Sequence, residues 1–179
     1  INDLTSRRVV GAIQADFRRD FDFRIFADAE QMRKLIYKRN QQVGLCRIVS
    51  TTGYPSILDG KKHYIREGDF CMPWDQYNYR SLPWAEIPET IDQVGSVYTC
   101  QGFDLNYVGL ILGPPILLKD KDKIAVDLDK VTNKEPFQKR ADLKDGPAFI
   151  KAKEDLVLNT VNILMKRGMK GSLYLCSRS

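Results

Sequence analysis

Two apolar, β-rich runs, residues 94–98 and 107–112, flank a polar knot, Thr99-Cys100-Gln101-Gly102-Phe103-Asp104, and no other stretch restricts the fold as tightly. Short apolar runs bounded by turn residues read as buried strands. Such a layout presents polar side chains at the carboxyl end of a buried strand, which is where open α/β sheets place their ligand chemistry. The knot is therefore the first candidate for a site.

The segments around it supply an α/β framework. Residues 21–26, Phe-Asp-Phe-Arg-Ile-Phe, alternate apolar and polar side chains, the pattern of a strand with one buried face. Asp28 with Gln31 makes a capping-box-like helix start; Ala29, Met32, Leu35 and Ile36 form the apolar stripe, and residues 40–44 end it. Residues 43–50 are a second strand with Arg47 inside it. Strand, helix, strand is a βαβ unit, so a parallel sheet follows. Upstream, Val9, Val10, Ile13 and Phe17 fall at helical spacing and predict a first amphipathic helix within residues 6–17. Downstream, Asp145-Gly146-Pro147 opens a helix that runs to Lys166-Arg167 and is stopped by Gly168. Its last turns are apolar on most sides, predicting substantial burial, and Gly171 leads into a final strand over residues 172–176.

Two stretches interrupt this regularity. Residues 51–88 are punctuated by glycine and proline yet dense in aromatics, among them Tyr54, Tyr64, Phe70, Trp74 and Trp84. They read as an ordered excursion packed on the sheet edge, with a short hairpin around residues 63–72. Core packing accounts for the aromatics, and stacking on nucleobases is the alternative. Residues 116–145 are a charged insertion whose ordered piece, residues 123–129, alternates Ile124, Val126 and Leu128 with polar neighbours.

At 179 residues, 43% hydrophobic and 28% charged, the chain fits one soluble domain over residues 1–179. No apolar run approaches the roughly 18 residues of a membrane span, and no signal peptide is visible, so a cytoplasmic protein without membrane partners is expected. Cys46, Cys71, Cys100 and Cys176 are widely spaced and His63 is the single histidine, so zinc-ligand spacing is absent and free thiols are expected. The first residue is Ile1 and the pattern opens in mid-element, the expectation for a piece of a longer protein. The net charge of +5 is uneven: residues 1–50 carry 10 basic and 6 acidic side chains, residues 150–179 carry 6 and 2, and the middle carries 12 and 15. If the fold joins the ends, a basic face for phosphate backbones results; a solvated basic surface is the alternative.

Several chemistries are missing from the sequence. There is no Gly-x-x-x-x-Gly-Lys-Ser/Thr phosphate loop, no Gly-x-Gly-x-x-Gly, no serine elbow and no histidine beside a nucleophile, so free-standing catalysis is not expected. What remains are two polar clusters at the ends of buried elements: Thr99, Gln101, Gly102 and Asp104, and Lys166-Arg167-Gly168 with Met169 and Lys170 behind it. An arginine fixed at the end of a buried helix can aim its planar fork at a phosphate. Cations at a helix C-terminus also simply complement the dipole.

Together the two clusters carry a resemblance. Thr99-x-Gln101-Gly102-Phe103-Asp104 before an apolar strand, then a helix ending Asn159-Thr160-Val161-x-Ile163-Leu164-Met165-x-Arg167-Gly168-Met169-Lys170-Gly171, is similar to the second RecA-like domain of a superfamily 1 helicase. More narrowly, it resembles the bacterial Schlafen-related helicase family, whose patterns are Tyr-Thr-x-Gln-Gly-Phe-Glu-Phe-Asp-Tyr-Val-Gly and Asn-Thr-Tyr-x-x-Leu-x-Thr-Arg-Gly-Met-Lys-Gly. The strand over residues 46–50 leading to Gly53-Tyr54, and Met72-Pro73-Trp74-Asp75, extend the match to residues 23–176.

The resemblance implies a P-loop NTPase-type fold, a mostly parallel sheet flanked by helices, and ATP with Mg²⁺ held mainly by a separate N-terminal RecA-like domain. It implies Arg167 as a catalytic arginine finger on the γ-phosphate. Gln101, Gly102, Asp104 and Arg167 would face the nucleotide; Thr99, Lys166 and Lys170 would contact a single-stranded nucleic acid, DNA in preference to RNA. A binding module without ATPase activity is the alternative. Three positions depart from the pattern: Asp104 stands for its Glu, Asn106 for its Asp and Lys166 for its Thr.

Overall fold

In the computed structural model, which describes residues 20–55, 61–76, 80–119, 123–134, 137 and 146–176, the chain is mixed α/β and opens with the strand-helix-strand unit that the sequence predicts. The elements are β1 (Asp22–Phe26), α1 (Ala29–Val43), β2 (Cys46–Ser50), β3 (His63–Glu67), β4 (Phe70–Trp74) and β5 (Val94–Gly95), then β6 (Leu105–Leu112), β7 (Ile116–Lys119), β8 (Lys123–Val126), α2 (Pro147–Met165) and β9 (Gly168–Cys176). The expected helix within residues 6–17 lies outside the described residues.

Seven strands form one sheet in the order β1-β9-β6-β2-β5-β4-β3, and every pairing is parallel except that of β3 with β4. The side-chain alternation of the inner strands divides the core into two layers. On β2, β6 and β9, Ile48, Ile111, Leu173 and Leu175 face α1, whose Ala29, Met32 and Ile36 are buried against them. Val49, Val108, Leu110 and Tyr174 face the other way, toward Leu164 of α2. Met32, Ile36 and Leu164 are completely buried, each contributing about 2 kcal/mol by area. A mostly parallel sheet covered by helices on both faces is a RecA-like arrangement.

α1 begins as the capping pattern predicts: the Asp28 carboxylate accepts from the backbone N–H of Glu30 at 2.7 Å and of Gln31 at 3.3 Å. It ends at Gly44, where φ is 68°. α2 begins behind Gly146 with Pro147 in its first turn. The glycine- and proline-rich excursion is indeed ordered on the sheet edge: β3 and β4 form its hairpin and extend the main sheet beyond β5. Tyr54, Phe70, Trp74 and Trp84 are core residues, so packing accounts for these aromatics.

Arg47 organises the segment that follows. It is 3% exposed on β2 and points into the α2-side layer. Its Nε donates to Thr90 Oγ1 at 2.8 Å, Nη1 to Asn40 Oδ1 at 3.2 Å and the Cys46 carbonyl at 2.9 Å, and Nη2 to the Ala85 and Ile87 carbonyls at 2.7 and 3.0 Å. All five acceptors are neutral, and burial pushes the guanidinium's pKa below its usual value. The two 3-10 turns Trp84–Glu86 and Pro88–Asp92 are thereby tied to the sheet.

Several expectations change. The run at residues 94–98 is a strand only over Val94–Gly95, because the Thr99 hydroxyl takes over the backbone of Ser96, accepting from its N–H at 2.7 Å and donating to its carbonyl at 3.1 Å. The last strand starts at Gly168 rather than residue 172, and α2 stops at Met165. α2 is less buried than its composition suggests, since Ile150, Leu156 and Ile163 are exposed while Val157, Leu158, Val161 and Leu164 are buried. β1 buries no residue completely and leaves Ile25 exposed, as suits the edge of the sheet. The charged insertion holds more than the one ordered piece expected: β7 pairs antiparallel with β8 in a separate two-stranded sheet, and a 3-10 turn, Leu128–Lys130, follows.

Candidate functional site

The knot runs from the carboxyl end of one parallel strand to the amino end of another. It leaves β5 at Ser96, makes a helical turn in which Cys100 N–H donates to the Ser96 carbonyl at 3.2 Å, and enters β6 at Leu105. Cys100 anchors this turn: its side chain is fully buried, and burial drives the thiol up to about 11, against the pull of the nearby Arg167 charge. Gly102 has φ 77°, a left-handed conformation that favours glycine, and reverses the chain after the turn. Gln101, Gly102 and Asp104 are left exposed.

Arg167 meets the second half of this knot. Its backbone is held on both sides, with its N–H donating to the Leu164 carbonyl at 3.2 Å and its carbonyl accepting from Leu105 N–H at 2.8 Å. From there Nη1 donates to the Phe103 carbonyl, 64 residues away in sequence, at 3.3 Å, and approaches Asp104 Oδ1 at 3.5 Å. Its Nε is buried and has no hydrogen-bond partner. Arg167 is thus rigidly mounted but only loosely coordinated, beside an exposed carboxylate.

Close backbone packing makes this mounting possible. A Cβ on Gly168 would lie 2.2 Å from the Gly171 carbonyl oxygen, and one on Gly171 would lie 2.5 Å from the Tyr107 ring and 2.7 Å from the Asp22 carbonyl. Glycine at both positions lets β9 bulge against β6 between the Leu105–Gly168 and Tyr107–Gly171 pairs. Lys166 caps α2, Lys170 lies on β9 after the arginine, and both are exposed.

Asp104, Arg167, Lys166 and Lys170 therefore gather at the amino edge of the sheet, where β6 and β9 begin. The placement of the whole knot at a strand's carboxyl end holds only for its first residues. Thr99 stays beside Gly95, near the carboxyl end of β5, with its hydroxyl engaged by Ser96. The three candidate strand contacts are thus divided between opposite edges.

Asn106, one of the departures, has a local task. Its side-chain amide donates to the Val43 carbonyl at 3.0 Å and the Gly44 carbonyl at 3.1 Å, closing the C-terminus of α1, while its N–H donates to the Leu45 carbonyl at 2.8 Å. A carboxylate there would have no proton to donate and would face the negative end of the helix.

The carboxyl edge holds a feature that the sequence reading missed. A cleft opens beyond β2, β4 and β5, walled by Ser50, Thr51, Asp75, Ser96, Tyr98 and Thr132, with α2 supplying Leu156 and Thr160. Thr51 Oγ1 accepts from Gly113 N–H at 2.7 Å, and Thr132 Oγ1 donates to the Tyr54 carbonyl at 2.6 Å, so the rim is fixed by its own hydroxyls. The consecutive hydroxyls Ser50-Thr51-Thr52 directly after a buried strand were the available signal. Among the described residues, no group of three or more His, Cys, Asp or Glu side chains could hold a metal ion, and no helix is long and apolar enough to cross a membrane.

Comparison with known proteins bears out the Schlafen-related helicase part of the resemblance and extends it beyond bacteria. The chain is 39% identical over 156 residues to the uncharacterised Saccharomyces cerevisiae protein YPL245W, covering 86% of this chain and 34% of that one. It thus spans about a third of the length of this relative, which is fungal rather than bacterial. No solved structure matches it. The family model for the Schlafen group 3 DNA/RNA helicase domain matches residues 1–177, running through the knot, the amino-edge arginine and both core layers. The chain belongs to the Schlafen group 3 DNA/RNA helicase domain family.

Proposed function

We propose that this chain is the C-terminal motor domain of an ATP-dependent nucleic-acid helicase or translocase, completing an ATP site shared with a second RecA-like domain that carries the phosphate loop. The observation that carries this reading is the state of Arg167: fixed at both backbone ends, with 21% of its side chain exposed at the amino edge and its two polar contacts long. A guanidinium so mounted has coordination to spare for an anion delivered from outside the domain.

In this reading ATP supplies the γ-phosphate on which charge develops during hydrolysis, with Mg²⁺ held mainly by the other domain. Arg167 is the finger that neutralises that charge. Asp104 holds the finger in the absence of nucleotide and, with Gln101 and Gly102, faces the nucleotide once the domains close. Lys166 and Lys170 add positive potential around the same edge. Thr99 and the cleft at the opposite edge lie toward a single strand, DNA in preference to RNA, so the knot physically joins the two ligands. The helicase family and the much greater length of the fungal relative support a multidomain motor.

A second reading, a nucleic-acid- or protein-binding module without ATPase activity, draws on one contact: Asp104 already occupies the arginine. The two separate in the full-length protein. Arg167→Ala should lower strand-stimulated ATP turnover by about 10³-fold while leaving strand binding in place, and Arg167→Lys should not restore it, because a point charge lacks the planar fork. Unchanged turnover in Arg167→Ala would remove the finger assignment.

A further inference from the structure

The cleft at the carboxyl edge has a chemistry unlike that of a phosphate-gripping surface. Among the described residues that line it there is one carboxylate, Asp75, and no lysine or arginine. A phosphate would meet negative charge and no compensating cation there. The walls instead offer a half-exposed Tyr98 ring, the apolar Val97, Val131 and Val157, and short hydroxyls and an amide from Ser96 and Asn133. Trp74, 3% exposed, also contributes to the wall, and its indole N–H has no acceptor. A flat, uncharged group with an aromatic face and hydrogen-bonding edges suits these walls, and a nucleobase is such a group.

Asp75 narrows the choice. It follows β4 directly, its N–H donates to the Val94 carbonyl at 3.0 Å, and its φ of 51° places it in the left-handed region. The carboxylate is thereby mounted on a short, fixed turn at the cleft wall. An ionised carboxylate has two oxygens with about four acceptor sites, so it can take further donors beside those it already receives. Guanine presents two adjacent donors, N1–H and the N2 amino group, matching two carboxylate oxygens; the other bases present no such pair on that edge.

We infer that this cleft captures an unstacked guanine of the bound single strand, with Asp75 accepting from its N1–H and N2 amino group and Tyr98 covering its face. The inference rests on the nucleic-acid reading above and deepens it: the strand is gripped with a base preference rather than uniformly. Phosphates flanking the captured base stay outside the cleft, where Lys153, standing over the Phe137 ring at 5.5 Å, is one available cation.

The test is fluorescence anisotropy on the full-length protein without nucleotide, at one fixed salt concentration, using an oligothymidylate and the same strand with one central guanine, adenine or cytosine. The guanine strand should bind about tenfold more tightly than the others. Asp75→Asn should reduce that preference, read as the ratio of guanine-strand to thymidylate affinity so that any general effect of the lost charge cancels, to less than twofold, and asparagine tolerates the left-handed backbone, so the fold is kept. Equal binding of all four strands overturns the base pocket and leaves the strand-binding reading standing. A guanine preference that survives Asp75→Asn overturns the role of Asp75. Failure of every strand to bind at low salt overturns the pocket together with the nucleic-acid reading.

Discussion

Arg47 and Arg167 are both mounted on one sheet, and their surroundings differ in how completely each guanidinium is coordinated. Arg47 is sealed in the core with five hydrogen bonds to neutral acceptors, from Asn40, Cys46, Ala85, Ile87 and Thr90. Arg167 has two long contacts from one nitrogen and a buried Nε with none. A buried polar group left unpaired costs free energy, and a fold tolerates that cost mainly where the group has another use. Saturation makes Arg47 structural, and the incomplete coordination of Arg167 is what the proposed finger role would use.

The largest effect that could break this comparison is on stability. Arg47→Met should cost about 3 kcal/mol or more, because it strands the Ala85 and Cys46 carbonyls in the core, while the Ile87 carbonyl keeps its bonds from Thr90. Arg167→Ala should cost less than about 1 kcal/mol, since its contacts are long and its partner Asp104 is exposed. Urea midpoints of the two variants measure this directly, and equal losses would dissolve the distinction.

Asn106→Asp probes the same amino edge more gently. At pH 7 it should destabilise the fold by about 1 kcal/mol, because a carboxylate would replace an amide donor at the end of α1. The loss should shrink at pH 3, where the introduced group is protonated and can donate again, and thermal midpoints at the two pH values check the sign. A loss that stays equal at both would put its cause elsewhere than in charge.

The smallest expected effect concerns Cys100, which reports on the Arg167 charge from inside the core. Folding keeps this thiol protonated, so its contribution to stability is intact below its ordinary value of 9.0 and is lost as the pH rises through about 11. Iodoacetamide at pH 8 should therefore modify the exposed Cys71 and spare Cys100. Arg167→Ala, by removing the charge that favours the thiolate, should slow Cys100 modification further. Faster modification would show that the knot had opened rather than lost a charge.

How much of this was legible beforehand depended on whether the information was local. α1 could be read because its cap, stripe and terminator all lie within seventeen consecutive residues, from Asp28 to Gly44. β6 could be read because a strand buried on both faces is an unbroken apolar run. The length of β5 could not, since it depends on the Thr99 hydroxyl turning the chain back at Ser96. The early start of β9 depends on two glycines meeting Tyr107 and the Asp22 carbonyl, contacts that no linear pattern displays. β7 was obscured by its position directly after Gly113-Pro114-Pro115, where a break in the chain was the stronger signal.

The site divides in the same way. The pairing of the knot with Arg167 came from a family resemblance, because periodicity carries no information on which helix end meets which turn. The structure supplied the contact itself, through Phe103 and Asp104. Only the hydroxyl run Ser50-Thr51-Thr52 hinted at the cleft in the sequence, because its walls come from the ends of β2, β4 and β5, from residues 131–133 and from the flank of α2.

The most direct measurement of the central claim is the affinity of the full-length protein for ADP with aluminium fluoride and Mg²⁺, a mimic of the transferring phosphoryl group, compared with ADP alone. An arginine reserved for charge that develops in hydrolysis strengthens the first complex and not the second. Arg167→Ala should weaken binding of the mimic by about 10²-fold or more and leave ADP affinity unchanged. Undiminished affinity for the mimic, or equal losses for both ligands, would contradict the account.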